Sequence, residues 1–221
     1  MIRAFFFDLD GTLLDTEVLW VQATRAFLQA HHADCSPAEA TELVYGRSWR
    51  DVYAEMTRRF PQVDCGMERA GAQLRVHLQR LRAETDVRIA GSVELLVRLA
   101  AEHPVAIVSG SPRADIADSV TLMGVGPFVR FFLGAEDYGP GKPDPACYLL
   151  AAERMRVQPS ACVVFEDSSA GVRAAKAAGM RCVALVRPNA PRQDVATADL
   201  ALDNLSKFEL SAISEISASQ R

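Results

Sequence analysis

Short apolar runs alternate with helical segments over the second part of the chain, from residue 89 onward. The runs of strand length occupy residues 105–109, 131–134, 161–165, 182–186 and 198–202. Helical periodicity lies between them, at residues 92–102, 112–123, 145–155 and 170–178. Ser92 is the predicted N-cap of the first of these helices. Strands that alternate with helices predict an α/β fold, in which helices cover both faces of a parallel sheet.

The pattern before residue 89 is different. Residues 4–8 form an apolar run long enough for a buried strand, which should belong to the same sheet. From residue 15 to residue 86 the pattern is helical, with apolar positions three and four residues apart and helical runs at 49–60 and 68–82. Breaks fall at Ser36-Pro37, Gly46, Pro61 and Gly66. We therefore predict a small helical module inserted between the first strand and the remainder of the sheet.

Composition limits the class of protein. The chain has 221 residues, of which 49% are hydrophobic and 24% charged, and its formal net charge is −4. These values are typical of a globular protein, and the acidic surplus argues against nucleic acid as a partner. No apolar stretch approaches the roughly 20 residues of a membrane span, and no secretory signal is recognisable. The five cysteines form no CxxC pair, so we expect no disulfide framework, no zinc site and a cytoplasmic location.

Polar residues follow several of the predicted strands. In an open parallel sheet, ligands bind beyond the carboxyl ends of the strands. The residues at these ends are Asp8, Asp10, Gly11 and Thr12 after the first strand, Ser109, Gly110, Ser111 and Pro112 after the second, Lys142 in the loop after the third, and Glu166, Asp167, Ser168 and Ser169 after the fourth. Acids, hydroxyls and a lysine should therefore meet at one edge of the sheet.

The chemistry of this set points to a phosphoryl group. Carboxylates from two loops form a hard oxygen site suited to Mg²⁺, and Lys142 can hold an anion. Ser109 offers a hydroxyl donor, and Ser111-Pro112 is the predicted N-cap and first residue of a helix whose free N–H groups would form an anion site. Each feature alone is common in a structural role. Their order and shared position favour a site that stabilises phosphoryl transfer by positioning and charge.

The order of these motifs resembles that of the haloacid dehalogenase-like hydrolases. Residues 7–17, FDLDGTLLDTE, resemble the first motif of the family, and residues 108–111, VSGS, resemble the second. Residues 141–145, GKPDP, resemble the third motif, and residues 165–168, FEDS, the fourth. The insertion resembles the helical cap of the subgroup that contains small-metabolite phosphatases and β-phosphoglucomutase. The resemblance implies a Rossmann-like core at residues 1–14 and 87–221 and a helical cap domain at residues 15–86.

The resemblance also implies roles for individual residues. Asp8 would be the nucleophile that forms an aspartyl-phosphate, and Asp10 the general acid and then the general base. Mg²⁺ would be held by Asp8, the main-chain carbonyl of Asp10 and Asp167, with Glu166 nearby or bound through water. The phosphoryl oxygens would be bound by Ser109, Gly110 and Lys142, and Thr12 would orient the Asp10 loop.

The inserted cap should set specificity by closing over the core. Its candidate specificity residues are Glu17, Trp20, Arg47 and Arg50. The segment at residues 46–51 has two interpretations. Its arginines could bind substrate hydroxyls or a second anion, or they could be a solvated helix face with Trp49 in the cap core.

The expected function is hydrolysis of a small phosphorylated metabolite, a sugar or polyol phosphate, by a monomer with no membrane or nucleic-acid partner. A β-phosphoglucomutase-like mutase is an alternative, although the mutase has a histidine where this chain has Trp20. Dehalogenases of the superfamily lack an acid at the position of Asp10, and phosphonatases need a cap lysine, whereas no lysine precedes Lys142. A non-catalytic binding protein is a further alternative that four intact motifs disfavour.

Overall fold

A computed structural model of the chain describes residues 1–213 except residues 46, 48, 189 and 191. The strands are β1 (Ala4–Phe7), β2 (Val105–Val108), β3 (Phe131–Leu133), β4 (Cys162–Glu166), β5 (Arg181–Leu185) and β6 (Leu200–Leu202). The helices are α1 (Thr16–Ala30), α2 (Pro37–Val44), α3 (Trp49–Arg59), α4 (Met67–Glu84), α5 (Ala90–Ala100), α6 (Arg113–Met123), α7 (Ala146–Met155) and α8 (Ser169–Ala177).

The chain divides into two compact units. Unit 1 consists of Met1–Leu14 and Arg88–Arg221, and unit 2 consists of Asp15–Val87. Unit 1 contains one six-stranded sheet in the order β3-β2-β1-β4-β5-β6, and every strand pair in it is parallel. This arrangement confirms the predicted Rossmann-like α/β fold.

Both faces of the central strands are buried, which explains why β1, β2 and β4 are apolar at almost every position. On one face Phe6, Val108 and Val164 belong to a core that includes residues of α7 and α8. On the other face, the ring of Phe7 stacks on that of Phe165 with centroids 4.5 Å apart. Successive side chains of a strand point to opposite faces, so a single apolar run supplies both cores.

Some predicted boundaries differ from those observed. The predicted N-cap at Ser92 is wrong, because α5 begins at Ala90 and Ser92 lies fully buried in its first turn. The chain is anchored just before this helix, where the Ile89 N–H donates to Leu13 O at 2.9 Å. Ile89 O also accepts from the Ser92 N–H at 2.8 Å. The tertiary contact with residue 13 therefore starts the helix earlier than the side-chain pattern indicates.

The regular elements among the described residues of unit 2 are all helices, and one of them was not predicted by the pattern. Ser36-Pro37, interpreted above as a break, begins α2. The Ser36 hydroxyl accepts from the Glu39 N–H at 3.2 Å, and the Glu39 carboxylate accepts from the Ser36 N–H at 2.9 Å. This reciprocal capping box, followed by proline in the first turn, is a helix start as well as a break in the preceding structure.

The cysteines are free thiols, as the sequence predicted. Cys162 and Cys182 lie on the paired strands β4 and β5, and both are buried. Among the described residues, no helix combines the length and the apolar character that a membrane crossing needs.

We expect Gly91→Ala to destabilise unit 1. A Cβ atom at Gly91 would lie 2.0 Å from Asn204 Oδ1, which accepts a hydrogen bond from the Ser206 N–H at 2.9 Å. The alanine would displace the Asn204 side chain and break this bond, which should cost about 1–3 kcal/mol. Thermal unfolding followed by circular dichroism would measure the change.

Gly126→Ala is the matched control. A Cβ atom there would make an ordinary contact, 3.7 Å from Val120 Cγ1. We expect its effect to stay within about 0.5 kcal/mol. Equal melting temperatures for the two variants would contradict the close packing of Gly91 against Asn204.

Candidate active site

The carboxyl ends of the strands bring the predicted site residues of unit 1 together. β1 lies between β2 and β4, so the loops that follow these three strands are neighbours. The Asp8 N–H donates to Phe165 O at 3.0 Å, which continues the pairing of β1 with β4. The Ser109 N–H donates to Leu133 O at 3.0 Å and continues the pairing of β2 with β3. These main-chain hydrogen bonds therefore fix the backbone positions of Asp8 and Ser109.

Lys142 forms the centre of the site. Its ammonium Nζ lies 2.6 Å from Asp8 Oδ1, 2.6 Å from Glu166 Oε1 and 3.2 Å from Val108 O. The three side chains are buried, with 11% of Lys142, 10% of Asp8 and none of Glu166 exposed. Burial alone would lower the pKa of Lys142, but the charges of Asp8 and Glu166 outweigh it and raise this pKa well above its ordinary value. Lys142 is therefore an ammonium ion.

Glu166 is surrounded by hydrogen-bond donors. Besides Lys142, its Oε1 accepts from the Tyr148 hydroxyl at 2.8 Å. Its Oε2 accepts from the Ser168 hydroxyl at 2.9 Å and from the N–H groups of Asp167 and Ser168, both at 3.2 Å. A Cβ atom at Gly171 would lie 1.8 Å from Glu166 Oε1, so only glycine lets α8 approach this carboxylate. The fourth motif thus supplies a fully buried, fully hydrogen-bonded carboxylate.

Asp167 lies against the loop of the first motif. Its Oδ1 accepts from the Thr12 hydroxyl at 3.3 Å. Gly11 has a φ of +89°, and a Cβ atom there would lie 2.1 Å from Asp167 Oδ2. Glycine is therefore required at this turn by both its backbone angle and its distance from the carboxylate. Burial and the charge of Glu166 raise the pKa of Asp167 to about 7, although Arg187 acts in the opposite direction.

Asp10 is held by two serines. Its Oδ2 accepts from the Ser109 hydroxyl at 3.1 Å and from the Ser111 hydroxyl at 2.6 Å. The hydroxyl of Tyr138 donates to Ser109 O at 2.7 Å and so ties the following loop to the second motif. Ser111 as a partner of Asp10 and Tyr138 as part of the site were not predicted from the sequence. The Ser-x-Ser spacing was a usable signal for Ser111, whereas nothing local distinguishes Tyr138.

The first helical N–H of the predicted anion site at the start of α6 is already capped. Pro112 is the N-cap, one residue later than predicted, and the first helical N–H, that of Arg113, donates to the Glu136 carboxylate at 3.0 Å. Glu136 follows the edge strand β3, and the Ala135 N–H donates to Ser111 O at 3.0 Å, which holds this turn against the helix. A carboxylate from the protein therefore caps the N–H that the sequence assigned to a ligand.

The carboxylates of the site have the chemistry and spacing of a metal centre. Asp8, Glu166 and Asp167 each offer an oxygen, and the three oxygens lie within 4.8 Å of one another. Burial raises the pKa of Asp8 well above its ordinary value, and Glu166, Asp167 and Asp10 raise it further against the opposing effect of Lys142. Burial and the neighbouring carboxylates thus disfavour the ionised form of Asp8, and a hard divalent cation would offset this effect. The residues present therefore fit such an ion.

The four candidate specificity residues belong to unit 2. Glu17 and Trp20 lie on α1, Arg50 lies on α3, and Arg47 precedes α3; Gly46 and Ser48 of the same segment fall outside the described residues. Trp49 packs against the core of unit 2, and a Cβ atom at Gly71 would meet its indole Nε1 at 3.4 Å. The core interpretation of Trp49 is thus supported, while the roles of the four candidates remain predictions.

Known proteins match this chain over most of its length. The family described as haloacid dehalogenase-like hydrolase matches residues 2–179. A validoxylamine A 7'-phosphate phosphatase of Streptomyces hygroscopicus subsp. limoneus is 28% identical over 208 residues, which are 94% of this chain and 96% of that protein. Fructose-1-phosphate phosphatase of Escherichia coli is 30% identical over 177 residues, which are 80% of this chain and 93% of that protein.

A solved structure shares the fold as well. The crystal structure of a haloacid dehalogenase family hydrolase of Deinococcus radiodurans, with bound phosphate and sodium, has a TM-score of 0.78 and 26% identity. The match covers 98% of this chain and 96% of that one. With the family match and the strand-end site, these similarities confirm the resemblance read from the four motifs: the chain belongs to the haloacid dehalogenase-like hydrolase family.

Proposed function

We propose that this protein is a Mg²⁺-dependent phosphatase that hydrolyses a small phosphorylated metabolite through an aspartyl-phosphate on Asp8. The observation that carries the proposal is the buried contact of 2.6 Å between the Asp8 carboxylate and the Lys142 ammonium, with the Asp10 carboxylate held at the same strand ends. The proposal is supported by two relatives named as phosphatases of phosphorylated small molecules, and by a related hydrolase crystallised with phosphate.

In the first step, a carboxylate oxygen of Asp8 attacks phosphorus and the bond to the leaving oxygen breaks. Phosphoryl transfer needs little covalent chemistry from the protein beyond the nucleophile, and depends mainly on positioning and charge stabilisation. The Lys142 ammonium offsets the repulsion between the Asp8 carboxylate and the incoming phosphoryl group. It also remains available to bind a phosphoryl oxygen once Asp8 is esterified.

Asp10 moves the protons in both steps. The protonated side chain gives its proton to the leaving oxygen as the phosphoryl group is transferred. The resulting carboxylate then takes a proton from the water whose oxygen attacks phosphorus, and the bond from phosphorus to the Asp8 oxygen breaks to release inorganic phosphate and the free Asp8 carboxylate. The bonds of 3.1 Å and 2.6 Å that Asp10 Oδ2 accepts from the Ser109 and Ser111 hydroxyls hold this side chain in position for both proton transfers.

The metal site of the proposal uses the carboxylates of Asp8 and Asp167 and the main-chain carbonyl of Asp10, with Glu166 close by. When bound, Mg²⁺ supplies positive charge that stabilises the transferring phosphoryl group. Ser109 and Gly110 join Lys142 as the proposed phosphate-binding residues.

Specificity is assigned to unit 2, which we propose to be the cap domain. A sugar or polyol phosphate as substrate is supported by the sugar phosphate in the name of one relative and by the polar candidates Glu17, Arg47 and Arg50. The net charge of −4 favours a small-molecule partner over nucleic acid.

Replacement of the proposed nucleophile, Asp8→Asn, should reduce phosphate release by at least about 1,000-fold, because an amide cannot form the acyl phosphate. Circular dichroism should show an unchanged fold. Asp203→Asn is the matched control, since Asp203 is exposed and its carboxylate forms an ion pair with the exposed Lys207 at 2.7 Å. Full activity in Asp8→Asn would exclude Asp8 as the nucleophile.

Removal of divalent cations should abolish turnover. Without a cation, the buried carboxylates repel the anionic substrate, and the charges of Lys142 and Arg187 offset this repulsion only in part. We expect phosphate release to stop in excess chelator and to return when Mg²⁺ is added in excess over it. A rate that chelator leaves undiminished would refute the metal site.

A panel of sugar, polyol and nucleotide phosphates, assayed with Mg²⁺, should reveal the substrate class. We expect inorganic phosphate and the free hydroxyl compound as products, because water and not a second hydroxyl of the substrate attacks the phosphoenzyme. Chromatography of the products is needed beside the phosphate assay. Conversion of one sugar phosphate into an isomer, with no phosphate released, would replace the phosphatase proposal with a mutase.

A further inference from the structure

We propose that Tyr148 is a positioning residue of the active site, which acts through Glu166 to hold the Lys142 ammonium in place for the phosphoryl group. The structural basis is a chain of two short contacts, from the Tyr148 hydroxyl to Glu166 Oε1 at 2.8 Å and from the same oxygen to Lys142 Nζ at 2.6 Å. The inference rests on the proposed phosphatase function and deepens it.

The side chain of Tyr148, a residue of α7, is fully buried in a core that includes residues of the sheet and of α8. A buried hydroxyl loses its hydration and is unfavourable without a partner. Its partner here is a carboxylate, and hydrogen bonds to charged groups are stronger than those between neutral groups. The specific contribution of the hydroxyl is therefore its bond to Glu166.

Glu166 has little capacity left for a direct metal bond. A carboxylate has about four lone-pair sites. The two oxygens of Glu166 already share five donors, namely Lys142, Tyr148, the Ser168 hydroxyl and two main-chain N–H groups. Gly171 packs so closely that a single added carbon would overlap the carboxylate, so the group is also confined laterally. This environment suits a fixed counter-charge for Lys142 and leaves any contact with the metal to a bridging water.

Tyr148 acts on Lys142 from two sides. The ammonium lies 5.2 Å from the centre of the Tyr148 ring, a favourable cation–π distance, and the hydroxyl reaches it through Glu166. The other acceptors of the ammonium are Asp8 Oδ1 and Val108 O. When Asp8 is esterified it loses its negative charge, and Glu166 becomes the remaining carboxylate in contact with Lys142. The position of Glu166 then determines where the ammonium meets the phosphoryl oxygens.

Tyr148→Phe tests the inference, because it removes the hydroxyl and keeps the ring. With one donor lost, Glu166 Oε1 should draw the ammonium toward itself, and both KM and the inhibition constant of inorganic phosphate should rise about tenfold. The Mg²⁺ affinity, measured by calorimetry, should change by less than about twofold. Tyr53→Phe is the matched control: its hydroxyl also donates to a carboxylate, Asp64 Oδ1 at 2.6 Å, but lies in unit 2.

A second variant, Glu166→Gln, distinguishes an effect of Tyr148 on Lys142 through Glu166 from an effect of Tyr148 on the packing of the core. Glu166→Gln should weaken phosphate binding more than Tyr148→Phe does. Because Tyr148 acts through this carboxylate, the double variant should bind phosphate no more weakly than Glu166→Gln alone. Additive losses would overturn the inference, and so would unchanged phosphate affinity in Tyr148→Phe with only a lower melting temperature.

Two further outcomes are decisive. A roughly tenfold loss of Mg²⁺ affinity in Tyr148→Phe, with phosphate affinity retained, would assign Glu166 to the metal and overturn the role proposed for Tyr148. If the wild-type enzyme hydrolysed no phosphate ester, the proposed function would fail. Calorimetric titration of the Mg²⁺-loaded variants with inorganic phosphate would still test the positioning of Lys142 in that case.

Discussion

The contact of one buried ammonium with two buried carboxylates is the interaction on which the site depends. Asp8, Glu166 and Asp167 gather negative charge at one edge of the sheet, where burial removes the hydration that would otherwise stabilise it. Lys142 touches two of these carboxylates at 2.6 Å and lies at the end of a loop far from both in sequence. Its ammonium reduces their repulsion, which would otherwise oppose any anionic ligand.

The sheet order makes this contact possible. With β1 between β2 and β4, Asp8 and Ser109 directly follow their strands and Glu166 ends β4, so the three residues lie side by side at the same edge of the sheet. Close approach then requires residues without a side chain. Gly11 and Gly171 occupy the points where a Cβ atom would overlap Asp167 and Glu166. Main-chain topology brings the acids together, and the two glycines let them come within reach of one cation.

The errors of the sequence analysis have a common cause. The N-cap was placed at Ser92, but a main-chain bond from Ile89 to residue 13 starts that helix earlier. The N–H groups at the start of α6 were assigned to a ligand, but Glu136 caps the first of them. In both cases the local pattern correctly indicated that a helix begins nearby. A hydrogen bond with a residue distant in sequence decided where that helix starts or which group caps its first N–H.

The sequence by itself determined the α/β class, the parallel sheet and the set of polar residues at its carboxyl edge. These follow from the periodicity of apolar residues and from the rule that parallel strands end on the same side. The tertiary structure decided the partners within that set: Ser111 on Asp10, Tyr148 on Glu166, and Lys142 between Asp8 and Glu166. Such pairings between residues far apart in the chain are sensitive to shifts of a few tenths of an ångström, and no local periodicity encodes them.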